Sequence, residues 1–463
     1  MDKELILPVK AAGVAFKNPF YVASGPTART VKQLLAIEKA GWAGASLKLS
    51  IDPAPYINGL PRYKVFGAYD ALGFTAEKRL TMAEGLSVIR EAKRYLTDLV
   101  LMANITYAGE DDERGWARMA EAFAEAGADI IELNMCCPNM SFNEEVTTGD
   151  ACVSCVRTGA SIGRYPDLVA PVVRAVKRSV SKPVIVKFSG EGGMIGLSAR
   201  AAVLAGADGV GGCGNRLGMP PIDTEHPEKA VYHLQDEISM TCMCGGWLKP
   251  LSQRDTYEIR KMTGPDASIF ATGGIRTALD AVEMAMCGGD MAGICTETLM
   301  RGYDFIRDVV RGTKSWLIEH GYSGYRDIRD RLVPAVKTAS ELTLKKGYAE
   351  VIDSSLSAPC LAACPHGIPV QAVMKASAES DFALAAACSS GARAAISVSI
   401  GAQKASMLRP CAAAAFFNAS VRSSPLGALS GVLAITRAFF CERKRNEEIC
   451  RSSSAVHSSL RKG

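Results

Sequence analysis

The chain has 463 residues, 48% of them hydrophobic, enough to bury a large core and more than one average domain requires. Its net charge of +5 belongs to the C-terminal end: residues 383–463 hold 11 Lys and Arg against 3 Asp and Glu, which leaves residues 1–382 at −3 and gives no reason to expect nucleic acid. Fifteen cysteines without an export signal read as thiols rather than a disulfide framework, and no run of about 18 apolar residues spans a membrane, so a cytoplasmic protein without membrane contact is expected.

From about residue 20 to 320, eight short apolar runs alternate with segments of helical period. The runs are "FYVAS" (20–24), "GASLKLS" (44–50), "LVLMANI" (99–105) and "DIIELNM" (129–135), then "PVIVKFS" (183–189), "DGVGGCG" (208–214), "SIFATGG" (268–274) and "MAGICTE" (291–297). Between them lie segments such as "TVKQLLAIEKAG" and "DLVAPVVRAVKRSV", several ending at glycine, the usual helix stop. Strands apolar on both faces and separated by helices imply a parallel sheet, and eight such units predict a closed (β/α)8 TIM barrel over residues 1–320, with a doubly wound open sheet as the alternative.

Barrel sites lie at the C-terminal ends of the strands. In order, those ends present Ser24 and Gly25, Lys48, Asn104, Asn134 with Cys136 and Cys137, Lys187, Cys213, Gly273 with Gly274, and Thr296. The two longest loops, roughly 51–80 and 138–165, follow the second and fourth runs and are expected to cover this face. "ATGGI" (271–275) and "CGG" (244–246) put bare backbone N–H groups beside helix starts late in the barrel, the pattern of a phosphate site. Lysines at the barrel mouth pay for desolvation unless an anion or an electron-rich ring faces them, and Lys48 and Lys187 are placed to meet one.

"NPFYVASGP", "SLKLS", "ELNMCCPN", "VIVKFS" and "IFATGGI", in this order, resemble the FMN-binding barrel of the dihydroorotate dehydrogenase and dihydropyrimidine dehydrogenase superfamily, more closely its pyrimidine-reducing dihydropyrimidine dehydrogenase branch. The likeness covers about residues 5–320. It implies an FMN oxidoreductase in which hydride passes between flavin N5 and one carbon of a pyrimidine-like ring, and a proton between the adjacent carbon and a cysteine. That cysteine precedes proline in the family's Asn-Leu-Ser-Cys-Pro motif, which makes it Cys137 here. A thiol, with an ordinary pKa of about 8.5, is tunable toward neutrality for that role. The resemblance further implies that Ala23, Ser24 and Gly25 line the flavin, that Lys48 and Lys187 meet its polar edge, and that Gly245, Gly246, Gly273, Gly274 and Thr296 hold its phosphate. Asn134, joined by Asn104, would hydrogen-bond the imide edge of the substrate ring.

The chain departs from the family pattern in three places. Cys136 stands where serine is usual, which puts a second thiol beside the acid. The Asn-x-Glu pair that grips uracil matches "LGFTAEKR", with Gly73 and Thr75 at its positions. The sixth run ends "GCGNR" instead of Thr-Asn-Thr, so Asn215 would supply the amide one position out of register.

Cys152 and Cys155 form a C-x2-C pair, and Cys242 and Cys244 follow later; these are read as ordinary thiols, with no metal site. Residues 321–382 read as helix and linker. Within them "APCLAACPHGIPV" is similar to the start of the iron–sulfur module of dihydropyrimidine dehydrogenases, keeping Cys360 and Cys364 but lacking the first cysteine pair, so no cluster is expected from this chain alone. Residues 383–463, rich in Ala and Ser and without an acid from Asp381 to Glu442, are expected to form a poorly ordered basic tail.

With no G-x-G-x-x-G following a strand, electrons are expected to pass through a separate electron-transfer protein, and a homo-oligomer is expected. Two alternatives stand beside this reading. One is a dihydroorotate dehydrogenase of pyrimidine biosynthesis, with Lys48 facing the carboxylate; the other is a non-catalytic barrel that binds flavin or another phosphate ligand.

Overall fold

The computed structural model describes residues 7–54, 62–67, 70–75, 79–137, 158–192, 194–212, 214–229 and 240–342. The expected iron–sulfur-like segment, the basic tail, Cys152, Cys155 and Cys213 lie outside the described residues.

Sixteen strands are described. In chain order they are β1 (Val9–Ala11), β2 (Val14–Phe16), β3 (Phe20–Val22), β4 (Gly44–Ser46), β5 (Ser50–Asp52), β6 (Arg62–Phe66), β7 (Ala71–Thr75) and β8 (Leu80–Thr81). Then come β9 (Val100–Tyr107), β10 (Ile130–Met135), β11 (Val184–Phe188), β12 (Gly209–Gly212), β13 (Arg216–Gly218), β14 (Thr241–Gly245), β15 (Ser268–Thr272) and β16 (Met291–Ile294). The eight apolar runs become β3, β4, β9, β10, β11, β12, β15 and β16. They pair in parallel in that order, and β16 returns to β3, so the sheet closes on itself as a (β/α)8 TIM barrel. Both faces of each strand are covered: all six residues of β10 and all five of β11 are buried.

Local chemistry sets the outer helices. Helix Val31–Ala40 starts at a capping box between Thr30 and Gln33, stops where Gly41 turns left-handed at φ 105°, and buries Leu34, Ile37 and Ala40. Helix Pro166–Ser179 opens on proline and buries Val169, Val172, Val173 and Val176 at helical spacing. The hairpin β1–β2 lies against the start of β15, where Ser268 Oγ accepts from Ala12 N and Phe16 meets Phe270 edge-on, closing the end of the barrel opposite the strand tips.

Two details differ from the sequence reading. Residues 51–80, expected as a covering loop, contain four strands. Of these, β6 and β7 join β13 and β14 in a separate antiparallel sheet of order β13-β14-β7-β6, because alternating residues there form a two-faced ribbon that the run-based reading passed over. Beyond residue 320, Tyr325 and Ile328 are buried and the Tyr325 hydroxyl donates to Ala281 O, so this stretch packs onto the barrel.

Candidate active site

The strand tips and the small antiparallel sheet enclose an open cleft of about 1450 Å³, counting its mouth. Ala23, Ser24 and Gly25 reach it from beyond β3, Lys48 from beyond β4, and Asn134 and Cys137 from β10 and the turn after it. Lys187 from β11, Asn215, Gly245, Gly273 with Gly274, and Thr296 complete the expected set that the cleft brings together. Asn134 and Lys187 stand opposite each other across the β10–β11 pairing.

Asn104 and Gly246, also expected in the site, do not line the cleft. β9 runs three residues past Asn104, which puts this side chain inside the barrel wall rather than at a strand tip; it is fully buried, donates to Glu132, and accepts from Asn134 Nδ2 at 2.9 Å. Gly246 opens a short 3-10 turn beneath the ion pair of Asp70 and Arg276, 2.8 Å apart. On β7 the cleft is lined by Leu72 and Phe74, not by Gly73, because successive residues of a strand face opposite ways.

Asn134 organises the thiol. Its Oδ1 accepts from the backbone N–H of Cys137 at 2.9 Å and of Cys136 at 3.3 Å, so the amide is held with Nδ2 toward the Cys137 sulfur, 3.4 Å away. Cys137 is partly buried. Hydrogen bonding from Cys136 pulls its pKa down to about 5, with help from the charges of Arg79 and Lys48 and from the Asn134 amide, while burial pulls the other way. Cys287, pushed up by burial and by the nearby Glu283 carboxylate, goes up to about 11. Of these two thiols, Cys137 is the one prepared to ionise.

Lys48 and Lys187 are only 6% and 7% exposed. Both line the cleft, where an anion or an electron-rich ring would meet them. The glycines expected at a phosphate have unusual backbone conformations. Gly245, Gly273 and Gly274 have φ of 117°, 115° and 73°, conformations that side chains rarely adopt, and a Cβ on Gly274 would lie 2.5 Å from the Lys249 backbone nitrogen at a helix start. Beside Gly273 the Ser252 hydroxyl is buried without a hydrogen-bond partner among the described residues. Bare backbone at Gly245, Gly273 and Gly274 along one part of the cleft suits a phosphate.

Arg79 and Arg276 are cleft residues the sequence reading missed. Arg79 precedes β8 and acts electrostatically on Cys137; the only trace of it in the sequence is its place at the end of "AEKR" before a strand-to-helix turn. Among the described residues, no group of three or more His, Cys, Asp or Glu is placed to hold a metal ion, and no helix is long and apolar enough to cross a membrane.

A family model described as dihydroorotate dehydrogenase matches residues 6–317. The NAD-dependent dihydropyrimidine dehydrogenase subunit PreA of Escherichia coli (strain K12) is 27% identical over 342 residues, 71% of this chain and 78% of its own. The catalytic subunit of dihydroorotate dehydrogenase B (NAD(+)) of Pyrococcus abyssi is 29% identical over 329 residues, 70% of this chain and 98% of its own. The crystal structure of DHODH in complex with ferulenol, from Eimeria tenella, aligns at a TM-score of 0.56 and 18% identity over 72% of this chain and 90% of that one, a likeness of fold.

Proposed function

We propose, from the premise that this chain belongs to the dihydroorotate dehydrogenase family, that it is an FMN-dependent oxidoreductase of a CH–CH bond in a pyrimidine-like ring, interconverting uracil or thymine with the dihydro form. The observation that carries this reading is the pairing, in one cleft, of an acidified thiol held by Asn134 with a glycine cradle suited to a phosphate.

The phosphate of FMN would lie against Gly245, Gly273, Gly274 and Thr296, its ring against Ala23, Ser24 and Gly25, with Lys48 and Lys187 meeting the polar edge. FMN bound there supplies a hydride acceptor or donor for one ring carbon. The chain's own part is the proton at the neighbouring carbon. Near pH 7 the Cys137 thiol, with its pKa near 5, is ionised and ready to accept that proton as the dihydro ring is oxidised. In the reducing direction the protonated thiol returns it. Asn215 would offer its amide to the imide edge of the ring, whereas Asn134, expected to do the same, has its amide taken up by Asn104 and the Cys136–Cys137 turn and instead holds the sulfur in place.

The relatives' names include "subunit", which supports a partner protein, to which we assign electron transfer. A second reading, oxidation of dihydroorotate, is favoured by one observation: Arg79 and Lys48 both bring positive charge to Cys137, where a ring carboxylate would find it.

Replacing the thiol tests the proposal. Cys137→Ser should retain flavin and bind the ring, yet turn over about 10² to 10⁴ times more slowly, the usual worth of a positioned proton-transfer group. Full activity in this variant would remove Cys137 from the chemistry.

A further inference from the structure

A polar cluster lies inside the barrel wall rather than at its mouth. Ser46 of β4, Asn104 of β9 and Glu132 of β10 are all buried, and none of them lines the cleft. Glu132 stands directly opposite Asn104 in the β9–β10 pairing, and its Oε2 accepts from both Asn104 Nδ2 and Ser46 Oγ. Two residues further along β10, on the same face of the strand, is Asn134.

Donors and acceptors run one way along this chain of side chains. A carboxylate can only accept, so Asn104 turns its nitrogen to Glu132 and its oxygen away. That oxygen accepts from Asn134 Nδ2 at 2.9 Å. Asn134 therefore has its nitrogen toward Asn104 and its oxygen toward the turn after β10, where the oxygen accepts from the backbone N–H groups of Cys136 and Cys137. The nitrogen carries a second hydrogen, and the Cys137 sulfur lies 3.4 Å from it. Reversing the Asn104 amide would set oxygen against the carboxylate and nitrogen against nitrogen, leaving buried groups unpaired. Stability alone does not ask for a carboxylate here, since burying one costs desolvation free energy that a leucine in its place would not. What the carboxylate adds is a direction for both amides.

We infer that Glu132 is a positioning residue for the Cys137 thiol, setting through Asn104 and Asn134 the orientation that holds an N–H donor against the sulfur. This rests on the proton-transfer role given to Cys137 above and adds the residue that maintains it. Glu132 does not reach the cleft, so it acts only through the two amides.

The test compares Glu132→Gln with Glu132→Leu in the flavin-loaded full chain. Both remove the charge, but only glutamine keeps an oxygen to accept from Asn104. The first readout is the pH midpoint of iodoacetamide alkylation at Cys137, which needs no substrate. A hydrogen bond to the thiolate favours the charged form, so the Leu midpoint should lie about one pH unit above the Gln midpoint. The second is the rate at which dihydrothymine bleaches the flavin. It should fall about tenfold in Glu132→Leu and less than about threefold in Glu132→Gln, with the affinity for the ring unchanged in both. A residue that served stability alone would lower the melting temperature and leave the two midpoints equal, and equal midpoints overturn the inference. Separated midpoints with equal bleaching rates sustain it and remove Cys137 from the proton transfer beneath it. A parent flavin that dihydrothymine does not bleach counts against the uracil and thymine reading, and the midpoints still decide the inference. Should Glu132→Leu not fold, Asn104→Leu cuts the same chain and keeps the carboxylate. Its midpoint should rise by about one unit over the parent, and an unchanged midpoint there also refutes the role of Glu132.

Discussion

Removing the Cys136 thiol should raise the pKa of its neighbour, because the hydrogen bond from Cys136 contributes most to the acidity of Cys137. A hydrogen bond to a charged group is worth about 1.5–3 kcal/mol and one pKa unit about 1.36 kcal/mol, so in Cys136→Ala the Cys137 thiol should titrate about 1 to 2 units higher, near 6 to 7. Cys136→Ser, which keeps an O–H donor, should stay near the parent value of about 5. The assay is the pH dependence of iodoacetamide alkylation, read at Cys137 by peptide mass spectrometry. Cys287, pushed to about 11, serves as the unreactive internal control. The midpoint of the profile is the readout, since a more basic thiolate is intrinsically more nucleophilic and partly offsets its lower population at any one pH. Identical midpoints in the parent and Cys136→Ala would refute the assignment of the donor. Equal upward shifts in Ala and Ser would refute the claim that a hydroxyl can replace the thiol.

Two further predictions concern the cradle and the scaffold. Gly274→Ala places a Cβ against the Lys249 backbone at a φ of 73°, so the protein should purify folded with flavin occupancy reduced more than about tenfold, read from its absorbance. Arg260→Leu strips a 3% exposed guanidinium from Asp290 and from the carbonyls of Gly264, Ala267 and Gly288; removing one partner of such a buried network costs about 3–5 kcal/mol, and thermal denaturation should show it as a lowered midpoint without a change in flavin content.

The barrel was legible because its strands are buried on both faces. Val184 to Phe188 and Ile130 to Met135 read as mainly apolar runs, broken only by Lys187, Glu132 and Asn134, and Gly41 marks a helix end by chemistry a sequence displays. The thiol was legible for a different reason: a polar cluster ending an apolar run has to be at a strand tip. Asn104 illustrates where this logic fails, since β9 continues through Ile105, Thr106 and Tyr107, and the residue taken for a tip is inside the wall. The sheet of β6, β7, β13 and β14 was hidden because its strands are short and come from two distant stretches, 62–75 and 216–245, that pair only in three dimensions. The family comparison set Gly73 and Thr75 at the positions of the uracil-gripping pair, as a departure from the family pattern. Among the described side chains of β7, Leu72 and Phe74 line the cleft on either side of Gly73, as pleat alternation requires. Arg79 stayed invisible because no local pattern separates a cleft arginine from a solvated one.

The most direct measurement is an anaerobic titration of the purified, flavin-loaded chain with dihydrouracil, dihydrothymine and dihydroorotate, following the oxidised-flavin absorbance. Bleaching by one of these rings, slowed in Cys137→Ser, is what a thiol and a phosphate cradle sharing one barrel mouth predict. A protein that carries flavin but whose spectrum none of the three rings reduces, or one that holds no flavin, would contradict the account.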